Sequence, residues 1–405
     1  MKAEALATPT SAHLSIATAP HLNSAARKPS TLWVRGPLWD AFWMQSALWL
    51  APLVLWLAYD YADPEDSPLD LLYFGLTAMF WIGHRLCSTW LAYCTEAYRP
   101  LLRTQPVRFI VLPLLVTAAC FAIFLPGDLA LPWTRAERLV ALAIVDYAWV
   151  TWHFASQHFG ALSLYRLRAG RSGCRQTRHL DRFFSLGVGG ALVFIADLLA
   201  GAVAYQDRWF SPDWPVNLAS PIRVGGIIVL ILATVATLAV ELRAPRWSLP
   251  RVLYVIGLAV MVFIALRPRS LFLFLVVWTS QHWILATGLA AQLPAAQGMP
   301  RGGGAIRRGL HHLNSNAWAL TVFLIVLSVA LLPFFEVEAN RQYGVYYGDR
   351  IFGAFSSALR TSAWMPALVA LGFATGFTHY LLDRGIYRMS DPEVRGAARG
   401  LLAPR

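Results

Sequence analysis

Ten apolar runs, each close to the length of a membrane-spanning helix, set the strongest limit on what this chain can fold into. A helix needs about 20 predominantly apolar residues to cross a bilayer, and inside a bilayer only helices and closed barrels satisfy every backbone hydrogen bond. Charged residues make up only 14% of the chain, against about a quarter of a typical soluble domain. We therefore predict an all-α fold, a polytopic integral membrane helix bundle with about ten transmembrane helices. The runs cover approximately residues 41–59, 69–94, 106–126, 137–165, 183–204, 222–242, 251–267, 270–292, 312–335 and 362–383.

The distribution of arginine predicts the orientation of the bundle. The loops after even-numbered runs and both terminal flanks are rich in arginine, whereas most other loops are acidic or mixed, with the turn at residues 267–269 as the exception. Because cytoplasmic loops carry the excess of Lys and Arg, we predict that both termini are cytoplasmic. This alternation accounts for the net charge of +12 without a nucleic-acid partner, and we expect membrane lipids as partners. The basic residues are Arg except Lys2 and Lys28, which is typical of GC-rich bacterial genomes, so we predict the inner (plasma) membrane of a bacterium.

The sequence divides into three parts. Residues 1–36 are rich in Ala, Ser and Thr and are predicted to be a disordered cytoplasmic tail, because they contain no continuous apolar segment typical of a signal peptide. Residues 37–384 form the predicted transmembrane domain, and residues 385–405 a short cytoplasmic tail. In that tail Ser390 is the predicted N-cap of a short helix with an acidic first turn.

Histidines inside the apolar runs are the main functional signal. They occur in runs two, four, eight and ten, which all cross the predicted bilayer in the same direction and carry their histidines between the middle and the cytoplasmic end. Two more histidines open run nine at that end. Ionisable residues in transmembrane segments are rare and mark functional sites, and neutral imidazole is a common ligand of Fe, Cu and Zn. We therefore predict a metal site, with candidate ligands His84, His153, His158, His282, His311, His312 and His379.

Polar neighbours of these histidines are candidates for orienting them. Viewed down the helix axis of run four, the side chains of Asp146, His153 and Gln157 lie within about 40° of one another, whereas that of His158 lies roughly 140° from His153. Asp383 follows His379 by one turn, and Ser88 follows His84 by one turn. Since a metal-bound histidine usually donates its other N–H to a carboxylate or carbonyl, we predict that Asp146, Gln157 and Asp383 orient the ligands.

Histidines held on several membrane helices resemble, in their site chemistry, the membrane-embedded histidine-ligated non-haem iron oxygenases and desaturases, and also the bacterial β-carotene dioxygenases. The adjacent pair His311 and His312 is similar to part of the histidine boxes of the desaturases, whereas His153 and His158 are five residues apart and do not follow that spacing. The resemblance implies a mononuclear or dinuclear iron site and oxidation of a hydrophobic or lipid-like substrate near the cytoplasmic leaflet. No flavin or nicotinamide fingerprint is visible, so electrons would come from a separate donor.

Two other functions fit the same residues. A single haem would be held by axial histidines from two helices. A proton-coupled transporter would use Asp146, His153, Asp197 and His379 as a relay across the membrane. In the plainest alternative, the histidines only form hydrogen bonds between neighbouring helices.

Overall fold

The computed structural model describes residues 32–58, 67–127, 133–171, 174–195, 216–266, 271–294, 304–343 and 346–398. Over these ranges the protein is built from helices, without a β-strand. The α-helices are α1 (Pro37–Trp39), α2 (Ser46–Leu57), α3 (Pro68–Leu76), α4 (Ile82–Cys94), α5 (Arg99–Thr104), α6 (Leu112–Phe124), α7 (Arg135–Arg168), α8 (Arg175–Arg182), α9 (Val216–Leu242), α10 (Leu249–Leu266), α11 (Leu271–Gln292), α12 (Ala305–Ser315), α13 (Ala317–Tyr343), α14 (Tyr347–Phe352), α15 (Ala354–Thr361), α16 (Met365–Ile386) and α17 (Pro392–Ala397). Four π-helical segments accompany them, at Asp40–Met44, Thr77–Trp81, Val107–Val111 and Phe183–Leu192.

Six helical stretches of the described chain are long and apolar enough to cross a membrane. The predicted all-helical membrane fold is therefore confirmed in class, and each of the ten predicted runs falls at least partly on helical residues. The count of ten transmembrane helices and the cytoplasmic placement of both termini remain predictions. The six stretches are Val107–Phe124, Arg135–Arg168, Ser220–Leu242, Leu249–Leu266, Ala317–Arg341 and Met365–Ile386.

The start of run nine was predicted wrongly. We expected the apolar helix to begin at residue 312, but α12 ends at Ser315 and the apolar α13 begins at Ala317. Asn316 has an extended backbone and separates the two helices. Its side-chain Oδ1 accepts the N–H groups of Trp318 and Ala319 at 3.0 and 3.2 Å, which caps the new helix. The preceding segment is consequently a separate amphipathic helix.

Four helices that carry histidines pack together in the middle of the bundle. Helix α16 contacts α4, α6, α7 and α13, and α11 contacts α2, α4 and α13. Glycines permit the closest approaches: a Cβ on Gly83 of α4 would lie 2.8 Å from the Leu324 carbonyl oxygen of α13, and a Cβ on Gly372 of α16 would lie 2.3 Å from the Glu338 Cβ. Small residues serve this purpose at membrane helix interfaces, and here they bring α4 and α16 against the same face of α13.

The loops that were predicted to be cytoplasmic contact one another at one end of the bundle, which we call the inner end. Arg166 after run four donates to Asp181 at 2.9 Å, and Arg251 after run six pairs with both Asp181 and Glu241. Arg171 also pairs with Glu241. We call these five residues the inner-end ion network. Because residues from the loops after runs four and six meet here, the structure places these loops at the same end.

The C-terminal segment also reaches the inner end. Asp391, not the predicted Ser390, caps α17, because its Oδ1 accepts the backbone N–H groups of Glu393 and Val394 at 3.0 and 3.4 Å. Gln105, in the arginine-rich loop after run two, donates to Asp391 at 3.1 Å. This contact fixes the described part of the predicted C-terminal tail against that loop.

Candidate metal centre

Four buried histidines, one from each of α4, α7, α11 and α16, meet inside the bundle. Going round the cluster, the ring centroids lie 5.0 Å apart for His84 and His282, 4.9 Å for His282 and His153, 4.8 Å for His153 and His379, and 4.9 Å for His379 and His84. Across the cluster His282 and His379 are 6.2 Å apart. None of the four residues is more than 7% exposed. We call these residues the four-histidine cluster.

The spacing of neighbouring rings fits imidazoles that bind the same metal ion. Imidazoles bound to one ion through nitrogens about 2.1 Å from it have ring centres about 4.6 to 5.3 Å apart when the bond angles lie between about 90° and 110°. The four neighbouring distances of 4.8 to 5.0 Å fall inside this interval. Histidines that only form hydrogen bonds between helices have no reason to surround one point at this spacing.

The outward-facing nitrogens of three of these histidines have acceptors. Nδ1 of His84 is hydrogen-bonded to the backbone carbonyl of Trp81, and Nδ1 of His282 lies 2.6 Å from Oε1 of Gln157. Because each acceptor needs a proton from Nδ1, the lone pair of each ring is on Nε2. This is how protein ligands of metals are usually oriented.

Ser88 and Asp383 fix the third ring in the same way. The Ser88 hydroxyl donates its single proton to Oδ1 of Asp383, so it can only accept from Nδ1 of His379, which lies 2.9 Å away. The lone pair of His379 is therefore on Nε2. Within the described chain, the buried Nε2 atoms of His379 and His282 have no hydrogen-bond partner. These two nitrogens are available to a ligand.

His153 differs because a carboxylate lies beside it. Its Nε2 is 3.6 Å from Oδ2 of Asp383 and has no hydrogen-bond partner among the described residues. Two overlapping sets of possible ligand atoms result, each within 4.8 Å: His84, His282 and His379, and His153, His379 and Asp383. Asp383 thus approaches the cluster both directly and through Ser88.

The predicted orienting residues lie at the site with changed partners. Gln157 contacts His282 rather than flanking His153 on its own helix. Asp146 accepts a hydrogen bond from the Tyr380 hydroxyl at 3.0 Å, and the Tyr380 ring lies 4.8 Å from the ring of His153. Asp146 consequently contacts the cluster through Tyr380. Tyr380 was missed because its contact depends on how α16 packs against α7, which no spacing within either helix reveals.

The remaining candidate ligands lie apart from the four-histidine cluster. His158 is buried, but its Nδ1 is hydrogen-bonded to the Tyr254 hydroxyl at 2.8 Å, and it belongs to neither set of ligand atoms. His311 and His312 lie on the amphipathic α12, where the first is partly exposed and the second exposed. Their ring centroids are 6.2 Å apart. The structure therefore brings together four of the seven predicted ligands.

The fold and the site define an all-helical chain with membrane-length apolar helices and a buried cluster of histidines that could hold a metal ion. In comparisons with known proteins, no family model, curated protein or solved structure matches this chain.

Proposed function

We propose that the protein is an integral membrane metalloenzyme, an iron-dependent oxidoreductase that oxidises a hydrophobic or lipid-like substrate near the cytoplasmic leaflet. The observation that carries this proposal is the four-histidine cluster, in which His84, His282 and His379 are held from outside by acceptors at Nδ1. A cluster that served only to join helices would use both nitrogens of each ring in hydrogen bonds, whereas here Nε2 of His153, His282 and His379 has no such partner among the described residues.

The composition of the ligand sets favours iron. Imidazole suits Zn, Cu and Fe, but two histidines and one carboxylate are the ligand set of oxygen-activating non-haem iron. His153, His379 and Asp383 have this composition. Asp383 is the one carboxylate in the two sets of possible ligand atoms, so these sets contain no second carboxylate that could bridge a pair of ions. We therefore propose one iron ion per chain, which would supply the capacity to activate oxygen.

The surroundings of the cluster favour an apolar substrate. The ring of Phe154 stacks on that of His282 with centroids 3.7 Å apart, and the ring of Trp283 stacks on that of His84 at 5.8 Å. These side chains would exclude water from the ligands and present an apolar wall to a substrate that enters from the lipid. Electrons would come from a separate donor at the inner end.

Haem is less compatible with the arrangement. A porphyrin occupies the plane around its iron, so only two axial histidines can approach it. Here four rings surround one position, with neighbouring centroids no more than 5.0 Å apart. A transporter relay through Asp197 cannot be compared with the structure, because that residue lies outside the described ranges.

Metal analysis of the purified protein tests the proposal. We expect about one iron per chain by elemental mass spectrometry and no Soret band in the absorption spectrum of the same sample. His153→Ala and His282→Ala should each lose the iron, whereas His311→Ala, which changes a histidine outside the cluster, should keep it. A Soret band would support haem instead. If folded wild-type protein binds neither metal nor chromophore, the proposed enzymatic function is refuted and the transporter function is favoured.

A further inference from the structure

A second polar site lies beside the metal centre and consists of a small cavity between α7, α10, α11 and the start of α2. The cavity has a volume of about 10 Å³ and is lined by side chains that include Gln45, His158, Tyr254 and Gln281. Each of these four residues is at most 4% exposed. The space is close to the minimum that one water molecule occupies.

Three polar atoms at this cavity lack hydrogen-bond partners within the described chain. They are Nε2 of His158, Oε1 of Gln45 and Oε1 of Gln281. A buried polar group without a partner is destabilising by about 1–3 kcal/mol, so three such atoms around one cavity indicate a missing partner. We propose that this cavity is a binding site for a single water molecule that bridges His158, Gln45 and Gln281.

The hydrogen bonds around the cavity agree with this ligand. Oε1 of Gln281 is unpartnered, so its hydrogen bond with Tyr254 uses the amide nitrogen, which donates to the Tyr254 oxygen. The Tyr254 hydroxyl then donates to Nδ1 of His158, which lies 2.8 Å away. His158 consequently carries its proton on Nε2 and donates it to the water. The water in turn donates to the two glutamine oxygens, and these three bonds are the usual number for a buried water.

The water also completes a connection to the inner end. Nε2 of Gln45 donates to the Tyr165 hydroxyl at 3.1 Å, and Tyr165 donates to Oδ2 of Asp40 at 3.0 Å. Asp40 accepts the backbone N–H groups of Val34 and Arg35 at 2.8 and 3.1 Å. With the water in place, one series of hydrogen bonds runs from His158 to the N-terminal flank. His158 belongs to this series and not to the metal ligands.

This inference goes beyond the proposed function and does not depend on it, because the water is bound by residues outside the four-histidine cluster. Radiolytic hydroxyl-radical footprinting detects a bound internal water directly, since radicals formed from it oxidise the side chains that touch it. Met44 lines the cavity and is 1% exposed, whereas Met261 is 0% exposed and is not among the lining residues. Met261 is therefore a matched control within the same protein.

We expect Met44 of the wild-type protein in mild detergent to be oxidised faster than Met261, because Met44 lines the cavity that would hold the water and Met261 does not. In Gln45→Leu, which removes one acceptor, the rate at Met44 should fall to that of Met261. Equal rates at the two methionines of the wild type would overturn the proposal, whether or not the variant folds. His158→Ala should keep its full metal content, and loss of metal from that variant as complete as from His282→Ala would also overturn the assignment of His158.

Discussion

The four-histidine cluster and the inner-end ion network are both buried and polar, but they differ in how their groups are matched. In the ion network, the Arg251 guanidinium lies between the carboxylates of Asp181 and Glu241, so opposite charges are paired within the protein. In the cluster, Nε2 atoms such as those of His282 and His379 face one another and lack a partner in the described chain. The comparison teaches that burial of polar groups alone does not mark a functional site. A set of possible ligand atoms that lie close together without a counterpart does.

The largest expected effect is on the stability conferred by the ion network. Arg251→Ala removes the cation that two buried carboxylates share and leaves one arginine each, Arg166 for Asp181 and Arg171 for Glu241. Breaking a buried pair destabilises a protein by about 3–5 kcal/mol, and we expect the lower end because these partners remain. Unfolding in detergent, followed by circular dichroism, should show this loss, whereas Arg308→Ala at an exposed position should change little. Folded Arg251→Ala protein should keep its metal. Loss of metal without loss of stability would reverse the roles that we assign to the two regions.

The next effect concerns the orientation of His379. Ser88→Ala removes the hydroxyl between His379 and Asp383, and loss of such an outer partner typically weakens metal binding by about 10- to 100-fold. Metal competition with a chelator measures this change. Ser46→Ala, at a buried serine of α2 that bonds only a local carbonyl, is the matched control. Equal affinities in both variants would show that Ser88 does not position a ligand.

A smaller effect of the same kind is expected at His282. Gln157→Leu removes the acceptor at Nδ1 of His282 and keeps a side chain of similar size. Loss of an outer partner weakens metal binding by about 10- to 100-fold, and we expect about tenfold here because the Gln157 amide is neutral. The same competition measurement detects the loss. An affinity as high as that of the wild type would mean that the apolar packing of Phe154, rather than Gln157, holds this ring.

The smallest effect is expected at an exposed ion pair of the inner end. A side-chain hydrogen bond from Arg307 lowers the pKa of Glu96 below its ordinary value. A carboxyl whose pKa is lowered in the folded state stabilises the fold above its unfolded pKa, and this contribution disappears as the pH falls through the folded pKa. Arg307→Ala should therefore lower the unfolding temperature slightly at neutral pH and not in acid. Because the pair is exposed, salt should also remove the difference. A difference that persists in acid would have another cause.

The sequence predicted which helices form and which residue types lie at the site better than it predicted which pairs of residues are in contact. Apolar length and the arginine pattern gave the helical class and grouped the loops that meet at the inner end. Helical spacing placed Gln157 beside His153, but the packing of α11 against α7 sends its amide to His282. His158 was grouped with the ligands by residue type, although helical spacing places it roughly 140° from His153 around α7, and its ring contacts Tyr254 instead. The Asn316 side chain caps the start of α13, and this local signal lies inside an apolar run.

An X-ray absorption spectrum of the purified wild-type protein at the iron edge tests the central claim most directly. We predict one iron per chain, with nitrogen and oxygen scatterers at about 2.1 Å and the outer scattering pattern of two or more imidazoles. A porphyrin pattern, sulfur ligands or the absence of imidazole scattering would contradict the assignment of the iron ligands to the four-histidine cluster.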